Sequence, residues 1–351
     1  MERRIFPKPV KKMKPVIWVI FLVVLLAALI WWYNFSHPNK SKEIISSSPV
    51  RLTYYVAKGG TNEIRGLVVK KLEIDKKYGL DIDFQTADPG ELERRILNRE
   101  INLAEVSPFI VGSAYQKNVP LKIISPAIRF TYQVVVPKTS HVKSLDDLKR
   151  KKVGLAPKVT AAFSATRISL KSLGIDPEND FDVLFGNIPQ TAEALERGDV
   201  DAAVMAYPSA GPILASGRFR ILANLGEIWS ERENGLPMPF VVVMANDEWL
   251  TQNGDTARRL VLTLLEGSRT IQDDPRVISS LIDYLKSNNY TSPDVVRSLE
   301  ANVPEQLFNA YGDKELQAFN LFFQRAKEYG VLPKDFPSPK AFLIAPQSLG
   351  I

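Results

Sequence analysis

The chain of 351 residues has no cysteine and only two histidines. The first absence rules out disulfides, cysteine-ligated zinc, a thiol nucleophile and a lipid-modified N-terminal cysteine. The second leaves His37 in a polar stretch and His141 in a lysine-rich turn, so neither a histidine metal cluster nor a Cys–His pair can be assembled. Positive charge is scarce where a nucleic-acid binder would need it. Six basic residues crowd into 1–14 against Glu2, a net +5, so the rest of the chain carries only +1 of the total +6. With no basic stripe and interleaved aromatics beyond that tail, nucleic acid is not an expected partner. Isolated carboxylates do not suggest acid–base chemistry either: Asp199 reads as a turn residue and Asp201 as the opening of a strand.

What is present is enough chain for two domains of ordinary size with cores that need no staple. Ahead of them "PVIWVIFLVVLLAALIWWYNF", residues 15–35, runs without a charge. That length suits a membrane-spanning helix, which takes about 17–25 residues. Trp31, Trp32 and Tyr33 stand at its far end, and the basic tail 1–14 precedes it. The positive-inside bias puts the N-terminus in the cytoplasm and the rest outside. A cleaved signal peptide would have a shorter apolar region and a small-x-small exit; here the exit is Trp-Trp-Tyr, which favours an uncleaved anchor. Residues 36–49 read as a polar linker.

Beyond residue 50 the chain alternates strand and helix signals, the pattern of an α/β protein with largely parallel sheets. One order is written twice. "RILNREINLAEVSPFIV" (95–111) and "ALERGDVDAAVMAYPSA" (194–210) each run from a helix end through a tight turn to a short strand and a proline loop. Leu97 and Arg99 match Leu195 and Arg197, and Ser107-Pro108 matches Tyr207-Pro208, with a one-residue slip at the turn. "VAKGGT…KKYGLDIDF" and "LAPKVT…KSLGIDPENDFDVLF" repeat a second unit. Residues 255–330 are expected to be mostly helical, with breaks near Asp274-Pro275 and Ser292-Pro293, and "DFPSPKAFLI" to be an irregular tail.

In open α/β sheets ligands bind beyond the carboxyl ends of the strands. The loops expected there are Lys58-Gly59-Gly60-Thr61 and Ser107-Pro108 in the first half, and Lys158-Val159-Thr160-Ala161 and Tyr207-Pro208 in the second. Each half aims a helix N-terminus at that edge, where unpaired N–H groups favour an anionic or strongly polar group. Two such halves make a cleft that closes by hinge motion. Lys58 and Lys158 are candidates for charge contact to an anion, or solvated loop lysines. Thr61 and Thr160 are candidates for ligand contact or plain helix caps, and Tyr207 for a ligand contact or a packed lobe-edge ring. Arg129, near the first crossing between halves, is expected in a hinge salt bridge, and Pro239-Phe240 marks the second crossing.

"YGLDIDF", "VSP", "PLKIISP", "VKSLDDLKRKKVGL", "ALERGDVDAAVMAYP" and "MPFVVVMANDEWL", in that order, resemble the nitrate, sulfonate and taurine type of ABC-transporter solute-binding protein, a group that also holds thiamine-precursor binders. The resemblance covers about residues 51–330. It implies a periplasmic-binding-protein type II fold, with lobe 1 at 51–128 plus 235–351 and lobe 2 at 129–234. It also implies a small polar or anionic ligand (nitrate-, sulfonate-, taurine- or bicarbonate-like), and a permease and ATPase as partners. No cofactor, no metal and no catalysis are expected, and the protein is expected to be a monomer. Members of that family commonly carry a lipobox cysteine or a cleaved signal, and here an apolar segment stands in their place. Three other readings stay open. They are a binder of a thiamine pyrimidine precursor, an anchored sensor or scaffold with the same fold, and an enzyme related to pyrimidine synthesis, which the lack of cysteine disfavours.

Overall fold

The computed structural model describes residues 48–351, of which Pro49–Ile351 form one compact unit. The tail 1–14, the apolar run 15–35 and residues 36–47 of the expected linker lie outside the described residues. Among the described residues no helix is long and apolar enough to cross a membrane.

Alternation of β-branched or aromatic residues with polar ones produces the strands. In β1 (Val50–Ala57) Tyr54 and Val56 are fully buried while Thr53 faces out. The first lobe adds β2 (Leu80–Ala87), β3 (Leu103–Val106) and β4 (Leu121–Arg129). The second holds β5 (Gln133–Pro137), β6 (Lys152–Leu155), β7 (Asp182–Phe185), β8 (Ala202–Met205) and β9 (Phe219–Asn224), after which β10 (Pro239–Asn246) returns to the first. The two sheets run β2-β1-β3-β10-β4 and β7-β6-β8-β5-β9. Each is parallel except for one antiparallel strand, β10 or β5, in the same next-to-edge place. That strand is the one arriving from the other lobe. The longer helices are α1 (Thr61–Lys71), α2 (Pro89–Leu97), α3 (Ala161–Lys171), α4 (Ile188–Arg197), α5 (Gly254–Asp273), α6 (Pro293–Gln306) and α7 (Asp313–Glu328). The expected breaks at Asp274-Pro275 and Ser292-Pro293 are where α5 ends and α6 begins.

The repeat read from the sequence is structural: α2 feeds β3 as α4 feeds β8. The turns match more closely than the residue types suggest. Gly198 closes α4 at φ +77°, and Arg99 occupies the same left-handed position after α2 at φ +59°. In both, the next N–H returns to the helix: Asp199 to the Ala194 carbonyl at 2.8 Å, Glu100 to the Arg95 carbonyl at 2.9 Å. The partner of Arg99 is therefore Gly198 and not Arg197, which places the slip. Asp199 pairs with Arg197 at 2.8 Å, and Asp201 accepts the Lys152 N–H at 2.9 Å, so both carboxylates serve the turn and the sheet edge.

The crossings between lobes lie side by side. The Phe130 N–H donates to the Met238 carbonyl at 2.9 Å, and Phe130, Tyr132 and Phe240 gather with ring centroids 4.9–5.6 Å apart. Gly226 is required here, because a Cβ would lie 1.9 Å from the Phe130 carbonyl oxygen. The hinge salt bridge expected of Arg129 is not made among the described residues. Its guanidinium sits over the Phe308 ring at 5.1 Å, with burial lowering its pKa against the pull of Glu315 and Glu305. The ion pair at the hinge belongs instead to the second crossing: the Arg325 fork of α7 meets Glu233 at 2.7 and 3.1 Å. The proline-rich tail, expected to be irregular, docks on β4 through Ile123 and Leu343.

Candidate functional site

In the first lobe β1 ends at the Lys58-Gly59-Gly60 turn and α1 begins at Thr61. Lys58 is exposed; its backbone N–H donates to the Ala87 carbonyl at 3.0 Å. The Gly59 N–H is taken by the Glu63 carboxylate. No side chain caps α1. Asn62, only 3 % exposed, folds back so that a Cβ on Gly60 would meet its Oδ1 at 2.6 Å. Its side-chain NH2 is buried and makes no hydrogen bond among the described residues. A donor left in this way costs about 1–3 kcal/mol until an acceptor arrives. Ser107 is buried after β3, with Oγ accepting the Phe109 N–H at 3.2 Å, and Pro108 is buried beside it. The Glu93 carboxyl of α2 lies against the Ser107 backbone. Burial pushes its pKa up and the Ser107 N–H pulls it back.

Below these loops lies an ion pair that the sequence pattern does not reveal. Arg65 of α1 and Glu105 of β3, 1 % and 2 % exposed, bond to each other in the core. The Tyr54 hydroxyl donates to the same Glu105 oxygen at 2.9 Å, and Arg65 reaches Ser268 of α5 at 3.5 Å. Burial first, then the Glu105 charge, holds the Tyr54 hydroxyl well above its usual pKa. The network fixes the start of α1 and the Ser107 loop, which follow its members by a few residues, on one frame.

In the second lobe Thr160 caps α3. Its Oγ1 accepts the Phe163 N–H at 3.2 Å and donates to the Pro157 carbonyl at 2.7 Å. There is no acidic residue in the first turn of α3, and the Ala161 and Ala162 N–H groups carry no hydrogen bond among the described residues. The start of α1 matches it, with the Thr61 and Asn62 N–H groups likewise without a hydrogen bond among the described residues. Val159 is 95 % exposed. Lys158 turns to its own lobe, pairing with Glu178 at 2.6 Å and lying over Phe185 at 5.3 Å. Tyr207 is buried, and a cis bond joins it to Pro208.

Sequence reasoning missed what lies against both loop sets. The segment 282–306 touches each lobe. Tyr284 donates to the Gly59 carbonyl at 3.3 Å, and the Thr61 hydroxyl to Gln306 at 2.9 Å. On the other lobe Tyr207 and Ser298 share a hydrogen bond of 2.9 Å. Ser298, Asn302 and Gln306 stand four residues apart on one face of α6, so a single helical stripe contacts both lobes. The hydroxyls of Thr61 and Tyr207 are therefore engaged with α6. The one available signal was the i, i+4 spacing of polar residues in a helix otherwise read as packing.

Two mixed α/β sheets joined by two adjacent crossings give the two-lobed architecture of a periplasmic binding protein. The family described as ABC transporter, phosphonate, periplasmic substrate-binding protein matches residues 71–278. The chain belongs to that family, one of substrate-binding proteins rather than enzymes. The periplasmic aliphatic sulphonate binding protein SsuA from Escherichia coli shares the fold with a TM-score of 0.66 at 17 % identity, over 85 % of this chain and 93 % of that one. The alkanesulfonate-binding protein SsuA from Xanthomonas axonopodis pv. citri, bound to MOPS, gives a TM-score of 0.65 at 17 % identity, over 86 % and 100 %. The nitrate import ATP-binding protein NrtC of Synechococcus elongatus is 25 % identical over 210 residues, 56 % of this chain; those residues span only 29 % of that relative.

Proposed function

We propose that the chain captures a small organic solute bearing a sulfonate or phosphonate group between its lobes and delivers it to an ABC import permease. Lobe 1 is taken as 51–128 with 235–351 and lobe 2 as 129–234, and the apolar run 15–35 holds the protein to the membrane with the lobes outside. The anionic group is held by Gly60, Thr61 and Asn62 at the start of α1 and by Thr160 and Ala161 at the start of α3. Ser107 and Tyr207 shape the cleft between them. The observation that carries this reading is Asn62: a buried amide donor without an acceptor, at a helix N-terminus, at the carboxyl edge of a parallel strand. The description of the matching family supports the phosphonate side, and the names of the solved structures the sulfonate side. The lysines are left out: Lys158 is committed to Glu178.

The test is ligand-dependent thermal stability of the purified chain against nitrate, bicarbonate, taurine, alkanesulfonates, alkylphosphonates and pyrimidines. A ligand at about 100 times its dissociation constant adds about 2.7 kcal/mol. A shift with a sulfonate or phosphonate is expected, and Asn62→Ala weakens it about 10- to 100-fold, as for a lost hydrogen bond to a charged group. A shift with a pyrimidine alone, or Asn62→Ala binding as the parent does, rejects the reading.

A further inference from the structure

The stretch that carries α6 is fastened to the first lobe at both ends. Before α6, the Tyr284 hydroxyl donates to the Gly59 carbonyl at 3.3 Å. After it, the Gln272 side chain of α5 donates to the carbonyls of Pro304 and Leu307, both at 3.0 Å, and the Phe308 N–H donates to the Ala127 carbonyl of β4 at 3.1 Å. A helix held in this way cannot follow a lobe that swings away from it. Its middle is nevertheless packed against the second lobe.

Leu299 has no exposed surface, and Tyr207 is buried beside it. Leu299 lies against the helix Ala210–Ala215 that follows β8: a carbon added to Gly211 would stand 3.9 Å from Leu299 and 3.6 Å from the Tyr207 ring. The Tyr207–Ser298 hydrogen bond of 2.9 Å completes the contact. Surfaces that part readily between domains are more polar than this, and a fully buried leucine belongs to a core. The position of the contact matters as much as its chemistry. Two crossings side by side leave the second lobe free to rotate about the line through them. The first crossing enters β5, and the Leu299 contact lies beyond the end of β8, one strand further into the sheet. A third tie away from a hinge line opposes rotation about it.

We propose that α6 is an interlobe strap, a standing third connection that holds the second lobe at a fixed approach to the first. Leu299 and Ser298 grip Tyr207 and the helix Ala210–Ala215, while both ends of the strap stay on the first lobe. The starts of α1 and α3 then keep their spacing without help from a bound molecule. Loss of the strap leaves only the crossings, and the strands farthest from them, β2 and β7, move apart most.

The chain has no cysteine, so thiol-directed labels go only where a cysteine is introduced. Thr86→Cys on β2 and Leu184→Cys on β7 use exposed positions on those two strands. Nitroxide distances between them are measured by double electron–electron resonance on the detergent-solubilised full-length chain with no solute added. One narrow distance is expected in the parent, and an added longer distance in Leu299→Ala/Tyr207→Phe. Leu260→Ala truncates a fully buried leucine of α5 inside the first lobe and leaves the distance narrow. Ser298→Ala/Tyr207→Phe keeps the apolar packing and raises the ratio of longer to shorter distances roughly two- to twelvefold, as for one lost hydrogen bond. A broad distribution in the parent, a parent-like distribution in both strap variants, or an equal spread in Leu260→Ala overturns the strap. Because no sulfonate or phosphonate is present, each of these results leaves the solute reading as it stands.

Discussion

Removing one member of the Arg65–Glu105 pair tests whether the frame under the first lobe's loops is electrostatic. Arg65→Met leaves Glu105, 2 % exposed, with only the Tyr54 hydroxyl at 2.9 Å as partner. Breaking a buried pair in this way costs about 3–5 kcal/mol. One oxygen of Glu105 already lacks a partner, so there is no second donor to take up the charge. For a body of this size about 2 °C is lost per kcal/mol, so the melting temperature falls by roughly 6–10 °C. Replacing the whole network is a different perturbation. Arg65→Met, Glu105→Leu and Tyr54→Phe together leave no uncompensated charge or hydroxyl, and such exchanges are often neutral or stabilising. The triple variant therefore melts well above the single one. Urea denaturation with a fitted m-value reports both and shows whether the denatured state has changed. A triple variant as unstable as Arg65→Met, or a single variant within 1 °C of the parent, refutes the argument.

Three further outcomes are expected. Tyr207→Phe removes the interlobe hydrogen bond to Ser298, worth about 0.5–1.5 kcal/mol, and weakens ligand affinity roughly two- to twelvefold; Ser298→Ala in the Tyr207→Phe background adds nothing more. Gly226→Ala drives a methyl group against the Phe130 carbonyl and is expected to lower thermal stability more than Gly198→Ala, where nothing lies within 4 Å of the added carbon. Asp81 is held down to about 2 by Lys76 and Lys70; its contribution is present above the ordinary aspartate pKa and is lost as pH falls towards 2, so a carboxyl NMR titration places its midpoint near 2, and Lys76→Met raises it.

The strand order along the chain was legible because alternation and turn chemistry act over a few residues. The duplicated helix–turn–strand unit at 95–111 and 194–210 was readable for the same reason, and its misalignment ahead of the turn, pairing Leu97 and Arg99 with Leu195 and Arg197, came from trusting residue identity over backbone conformation. What was hidden depends on partners far apart in sequence. Thr61 meets Gln306 across 245 residues, and Tyr207 meets Ser298 across 91. Lys158 looked available as a loop lysine until Glu178, from the other side of α3, came within 2.6 Å. Arg129 had the position for a hinge ion pair, yet only the fold brings Arg325 to Glu233 and leaves Arg129 over Phe308. Asn62 stands next to the cap candidate Thr61. Its value as an unsatisfied donor follows from burial, which a single sequence does not display.

The exchange of strands between the lobes has a consequence for biosynthesis. β10 pairs with both β3 and β4, so those two strands share no ladder until residue 246 has been made. At about 5–20 residues per second, β4 waits roughly 6–25 s on the ribosome for its neighbour. The second sheet has no such gap, because all five of its strands lie between residues 133 and 224. Although it comes later in the chain, the second lobe is the first whose sheet can close, and the incomplete first sheet must be kept from pairing with other chains until then.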